Sequence, residues 1–179
     1  MRFFDNKNRS GKQTIEDEAV PGRVCQTVSV DDFSILPRLL DESAAFWFSQ
    51  SEGDRVPDWA RFSPNKHAKF LTHILLCEVI DAKFFVRIAG ESVVAHFPAK
   101  IANQFLHEID CPELTHLTAE LNRVVDSEMP LYVDYPRAWA FADEFVGYRA
   151  LHMPFRTEDR VPDRVLSVIT FQTEPKIDL

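Results

Sequence analysis

The chain has 179 residues, 45% of them hydrophobic, and carries 28 Asp and Glu against 20 Lys and Arg, a net charge of -8. That length fits one domain with a core of its own, and the acidity excludes nucleic acid and anionic membrane as main partners. Cys25, Cys77 and Cys111 form no CxxC pair, no signal region follows Met1, and no apolar run reaches membrane-spanning length. A cytoplasmic, reducing setting is therefore expected.

Residues 1–22 are polar, mixed in charge and closed by Pro21-Gly22, which predicts a mobile arm. Residues 23–55 form an extension. Arg23–Val30 is either a short strand or merely extended, and a helix then runs from Pro37 to about Gln50, with Gly53 beyond its end. Leu40, Ala44, Trp47 and Phe48 fall at i, i+4, i+7 and i+8, one apolar stripe. So oily a helix must pack on the domain's own sheet or on a second copy. The expectation is a homodimer through these four residues.

The domain proper is expected at 56–179. It opens with VPDWARFSP, held extended by its prolines and anchored by Trp59 and Phe62, and Ser63-Pro64 starts a short helix. Leu75–Ile80 and Lys83–Ala89 are β-rich runs separated by Asp81-Ala82, a hairpin break. Glu91-Ser92 opens a helical turn carrying Val93, Val94 and Phe97, and short helices are expected near Ile101, Phe105 and Leu106. The clearest helix follows Asp110, Cys111, Pro112 and Glu113. Leu114, Leu117, Leu121 and Val124 give it one face, and Met129-Pro130 ends it.

Three strands close the chain: Leu131–Ala140, Phe145–Phe155 and Arg164–Thr173. Pro136 in the first argues for an edge or a bulge. In the last, Val165, Ile169 and Phe171 alternate with Leu166 and Val168, so both faces are apolar. A strand apolar on both faces is buried on both, and this one should be central.

These residues resemble the PAS domain, and more closely a bacterial, chiefly alphaproteobacterial, family of stand-alone PAS domains. The resemblance rests on VPDWARFSP, FFVRIAGESVVAHF, YRALHMPF and LSVITF, across roughly residues 40–172. FPAKIAN and EDRVPDR depart from it, standing where such domains often have glycine. It implies an α+β fold: a five-stranded antiparallel sheet in the order 2-1-5-4-3, with helices over one face and an N-terminal capping helix. It also implies sensing or protein–protein regulation, often through dimers, with no catalytic residue to transfer. With no kinase, cyclase or DNA-binding segment evident, output is expected to pass through another protein. The alternative is a cone-shaped α+β enzyme or binding protein of the nuclear-transport-factor-2 type, with Asp81 and His152 in its pocket.

No specific chemistry is written in the remaining motifs. GxGxxG, GxxxxGK[ST], GxSxG and SxxK are all absent, which excludes those phosphate cradles and nucleophiles. The six histidines form no HExxH or paired metal motif. His116 lies on the long helix, the element that holds haem in some PAS domains, but an ordinary histidine of an amphipathic helix explains it better. IDCPEL around Cys111 lacks the Asn, Arg and Gln of a flavin-adduct site. No cofactor follows from the sequence.

Periodicity and resemblance together give a ligand pocket. Phe84, Val86 and Ile88 would share one face, as would Arg149, Leu151 and Met153. Leu114, Leu117 and Leu121 would cover them, near Phe97 and Phe105. Arg149 would be the polar contact, selecting a small, acidic, largely apolar ligand. The plainer reading pairs Arg87 and Arg149 with neighbouring acids.

Overall fold

The computed structural model describes residues 24–27, 36–51, 56–97, 99–111, 114–141, 144–158 and 161–175. The arm expected at 1–22 lies outside them, as do Gly53, Pro112 and Glu113. In chain order come strand Val24–Thr27 (β1), helix Arg38–Gln50 (α1) and 3-10 helices Trp59–Arg61 and Pro64–His73. Strands Ile74–Ile80 (β2) and Lys83–Ala89 (β3), helix Glu91–His96 (α2) and a 3-10 turn Leu106–Glu108 follow. Helix Thr115–Ser127 (α3) leads to strands Leu131–Phe141 (β4), Glu144–Phe155 (β5) and Arg164–Pro175 (β6).

Local chemistry sets these boundaries. Pro37 is the N-cap of α1, and its carbonyl accepts the first helical bond from Asp41 N at 2.9 Å. Asp81 and Ala82 turn with φ of 50° and 58°, the paired left-handed residues of a tight hairpin that matches the strand twist. Glu128 ends α3 at φ 57°, in the left-handed position that closes a helix.

All six strands form one antiparallel sheet in the order β1-β4-β5-β6-β2-β3. Without β1, and read from β3, this is the expected 2-1-5-4-3. The expected five strands become six because the segment left open as strand or extended pairs with β4, Val24 opposite Asp134 through Thr27 opposite Leu131. As expected, β6 is central, between β5 and β2, with Val165–Ile169 buried throughout.

Two apolar layers flank the sheet. On one face α2 and α3 cover Leu75, Cys77, Phe84, Val86, Val133, Ala150, Val165 and Ile169. On the other, α1 and the 3-10 helix Pro64–His73 cover Leu76, Tyr132, Leu151, Met153, Leu166 and Val168. Helices over one face and the N-terminal helix α1 on the other agree with the apolar alternation on both faces of β6, and the Pro64–His73 helix joins α1 on its side.

Three expectations about side-chain direction are corrected. First, Leu40, Ala44 and Trp47 are no more than 2% exposed against this chain's own sheet, and of the proposed dimer stripe Phe48 alone is half-buried. Trp47 Nε1 also donates to Pro154 O at 2.7 Å, so hydrogen bonding and burial hold α1 inward. Second, Phe84, Val86 and Ile88 do not share a face. The register jumps at Arg87, with Val86 opposite Cys77 but Ile88 opposite Leu76, and this bulge turns Ile88 to the other side at 46% exposure. Third, Leu151 and Met153 lie in the α1 layer, across the sheet from Leu114, Leu117 and Leu121.

Candidate functional site

Helix α3 lays Leu117, Leu121 and Val124 on the sheet, and Glu120 lies on the same face, three residues after Leu117. A carboxyl there must find partners, because desolvating it unpaired costs several kcal/mol. Two strands supply them, and a third supports one of the partners. Tyr135 of β4 donates its hydroxyl to Glu120 Oε1. His152 of β5 places Nε2 3.3 Å from Glu120 Oε2. Ser167 of β6, the direct cross-strand neighbour of His152, brings Oγ within 2.7 Å of Nδ1.

The four groups thus run Ser167, His152, Glu120, Tyr135, tying one helix to three strands inside an apolar layer. All are at most 2% exposed. The imidazole hydrogen-bonds Ser167 through Nδ1, while Nε2 approaches Glu120 Oε2 at ion-pair distance without a hydrogen bond between them. Hydroxyl, imidazole and carboxylate in series is the arrangement of an activated serine nucleophile. Yet Ser167 is 0% exposed at mid-strand, so in this state no substrate reaches its oxygen. What the arrangement does is hold α3 in one place. An aromatic wall continues from it: Tyr135 stacks on Tyr148 at 4.8 Å, Tyr148 meets Trp139 at 5.6 Å, and Trp139 meets Phe97 at 5.4 Å.

Of the residues expected to line a pocket, Phe84, Val86, Phe97, Leu114, Leu117 and Leu121 do share the α3 layer. Phe105 is half-buried and packs edge-on against Phe85 at 5.0 Å, at the β3 margin. Arg149 is not with them. Its Nε donates to Asp134 Oδ2 at 2.9 Å on the α1 side, the acid pairing of the plainer reading. Tyr132 lies beside that pair, and burial, reinforced by Asp134 and opposed by Arg149, pushes its phenol up to about 12. Arg87 likewise pairs with an acid, Glu78 Oε2 at 2.6 Å.

Glu120, Tyr135 and Ser167 were not singled out from sequence, and His152 entered only through the alternative fold. The one signal was a carboxylate on the apolar stripe of α3. His116 is half-buried with its ring 5.9 Å from Tyr135, and Cys77 is fully buried with its thiol pushed up to about 12 by desolvation. Among the described residues, no group of three or more His, Cys, Asp and Glu is placed to hold a metal. An open depression of about 370 Å³ lies between α1 and the Pro64–His73 helix, bordered by Arg38, Leu39, Glu42 and Lys69. Glu42 pairs with both cations, so the side chains bordering it carry one net positive charge.

A single antiparallel sheet in this order, with a helix pinned across its central strands, defines a sensory-domain architecture. The model of the PAS domain family matches residues 38–170, well over half of the chain, and the chain belongs to that family. PAS domains are sensory and regulatory modules, and membership places this chain in that class. Among solved structures, the PAS domain of the histidine kinase ThkA is similar at 16% identity and a TM-score of 0.39, over 55% of this chain and 96% of that one. No curated protein matches. No helix among the described residues is long and apolar enough to cross a membrane.

Proposed function

We propose that this chain is a PAS-like regulator in the cytoplasm that binds a small ligand or a partner protein and carries no catalysis of its own. Its signal is a change in how α3 lies on the sheet, read by another protein. The observation that carries this is the buried tie of Glu120 to His152 and Tyr135. A helix held only by apolar contacts slides gradually. One held by directional polar bonds within a closed layer has two states, bonded or not, as a switch requires. A ligand entering between α3 and the sheet, among Phe97, Leu117 and Leu121, would select between them.

Homodimerisation belongs to the same proposal. Because Leu40, Ala44 and Trp47 are committed to this chain's sheet, the dimer contact must use other surfaces. Native mass spectrometry with an absorbance spectrum, on protein purified without added cofactor, tests the whole reading. A dimer mass or a retained small molecule is expected. A bare monomer at tens of micromolar, within the range of ordinary interfaces, would count against both ligand and dimer.

A further inference from the structure

The sixth strand lies outside the span matched to the family, which begins at residue 38. It is only four residues long, yet it is seated by more than backbone pairing. Cys25 is 5% exposed in the α3-side layer, and Arg123 of α3 donates from Nη1 to its Sγ at 3.3 Å. The edge of β4 is therefore a formed slot, with a register, a side-chain seat and a helix contact.

We propose that β1 is an exchangeable strand: in a homodimer each protomer lays its β1 on the β4 edge of the other and seats Cys25 beneath the other's α3. The slot holds this chain's own strand Val24–Thr27 in a fixed register, with Cys25 seated in the layer beneath α3. A second copy is the one partner certain to carry that sequence. Exchanged and unexchanged forms make the same contacts at the slot, so their free energies differ only through the connecting segment and the entropy of association. Residues 28–37 join β1 to α1, and a chain of that length reaches about 35 Å when extended. That is the breadth of a small domain, enough to cross to a neighbouring copy. Four residues of pairing separate at low cost, which lets the exchange occur without unfolding the sheet.

The inference rests on the homodimer of the proposed function, and the test separates the two. Cys25 and Val133 are cross-strand partners whose side chains enter the same layer. A Val133→Cys change, in a Cys111→Ser background, puts two thiols where a disulfide can close. After mild oxidation, a non-reducing gel with peptide mapping should show Cys25 joined to the new cysteine between chains, as a covalent dimer. The same bridge found only within single chains overturns the exchange, and a native dimer in that sample leaves the homodimer standing. A monomer by native mass overturns both. Should the double variant fail to fold, Cys25→Asp in the full chain gives a second reading, because a carboxylate at that buried seat expels β1. Its native mass should fall from dimer to monomer with the far-ultraviolet circular dichroism retained. A Cys25→Asp protein that dimerises like the wild type overturns the exchange.

Discussion

The imidazole of His152 on β5 and the carboxylate of Glu120 on α3 meet 3.3 Å apart, with neither residue more than 2% exposed. Two ionisable groups so placed cannot be solvated by water, and their orientation depends on Ser167 and Tyr135 at either end. The consequence reaches beyond the pair. Each of the four groups comes from a different element, so moving α3 withdraws Glu120 from Tyr135 of β4 and His152 of β5 together, and leaves His152 with Ser167 alone.

Tyr135→Phe removes one donor to Glu120 and leaves the ring in its stack with Tyr148. The expected cost is about 1–3 kcal/mol, the usual penalty for taking a partner from a buried polar group. Urea unfolding with an unchanged m-value measures it. A loss under about 0.5 kcal/mol, the scale of an ordinary surface change, would show that the bond does not hold α3.

Gly147→Ala should also destabilise, for a purely steric reason. A Cβ at Gly147 would lie 2.2 Å from Pro136 O and 2.7 Å from Tyr135 O, both backbone atoms. The closeness follows from the bulge in β4, where the register moves from Tyr135 opposite Tyr148 to Trp139 opposite Val146. Since backbone cannot rotate aside, a cost of about 1–3 kcal/mol is expected, as for overpacking in a core. Thermal unfolding at the wild-type midpoint would reveal no change if the bulge were free to shift.

Much of this fold was legible before the structure because its signals are local and periodic. The double-faced pattern of Val165–Ile169 placed β6 at the centre, Pro37 placed the start of α1, and Pro136 announced the β4 bulge. The expected grouping of side chains around the pocket departs from the structure where local pattern stops being informative. Alternation through Phe84, Val86 and Ile88 assumes an unbroken strand, and the extra residue at Arg87 has no composition signal. Arg149, Leu151 and Met153 do alternate as expected, but nothing in a strand's own sequence says which helix covers which face. Glu120 and Ser167 were missed for the opposite reason. A single polar residue on an apolar stripe looks like noise until another element brings its partner.

The Tyr132 phenol provides a pH prediction on the other face of the sheet. Burial, helped by Asp134, raises it to about 12 from the ordinary value near 10. The folded protein thus holds this proton more tightly than the unfolded chain does. The associated stability is fully present below about pH 10 and is lost as pH rises toward about 12. Between those limits the wild type should lose stability faster than Tyr132→Phe. Tyrosinate absorbance should also show Tyr132 titrating earlier in Asp134→Asn and later in Arg149→Ala, since the acid raises its value and the arginine lowers it. Identical titrations in all three proteins would remove the electrostatic link.

Trp47 decides whether α1 is part of this domain or a surface for another. Its side chain is 2% exposed in the layer formed with Leu40, Phe70, Leu151 and Phe155, and its indole N–H reaches Pro154 O at 2.7 Å. Removing the ring leaves a large void between helix and sheet. Trp47→Ala should therefore cost about 3–5 kcal/mol, the range for deleting a buried aromatic side chain. Trp47→Phe keeps most of the volume and loses the hydrogen bond, leaving the Pro154 carbonyl short of a donor at about 1–3 kcal/mol. Both losses should be independent of protein concentration, because the contacts lie within one chain. If Trp47 instead faced a second copy, Trp47→Ala would shift the monomer–dimer equilibrium and leave monomer stability nearly unchanged. Chemical unfolding at two concentrations tenfold apart, followed by tryptophan fluorescence in the Trp47→Phe protein and circular dichroism in both, separates these outcomes.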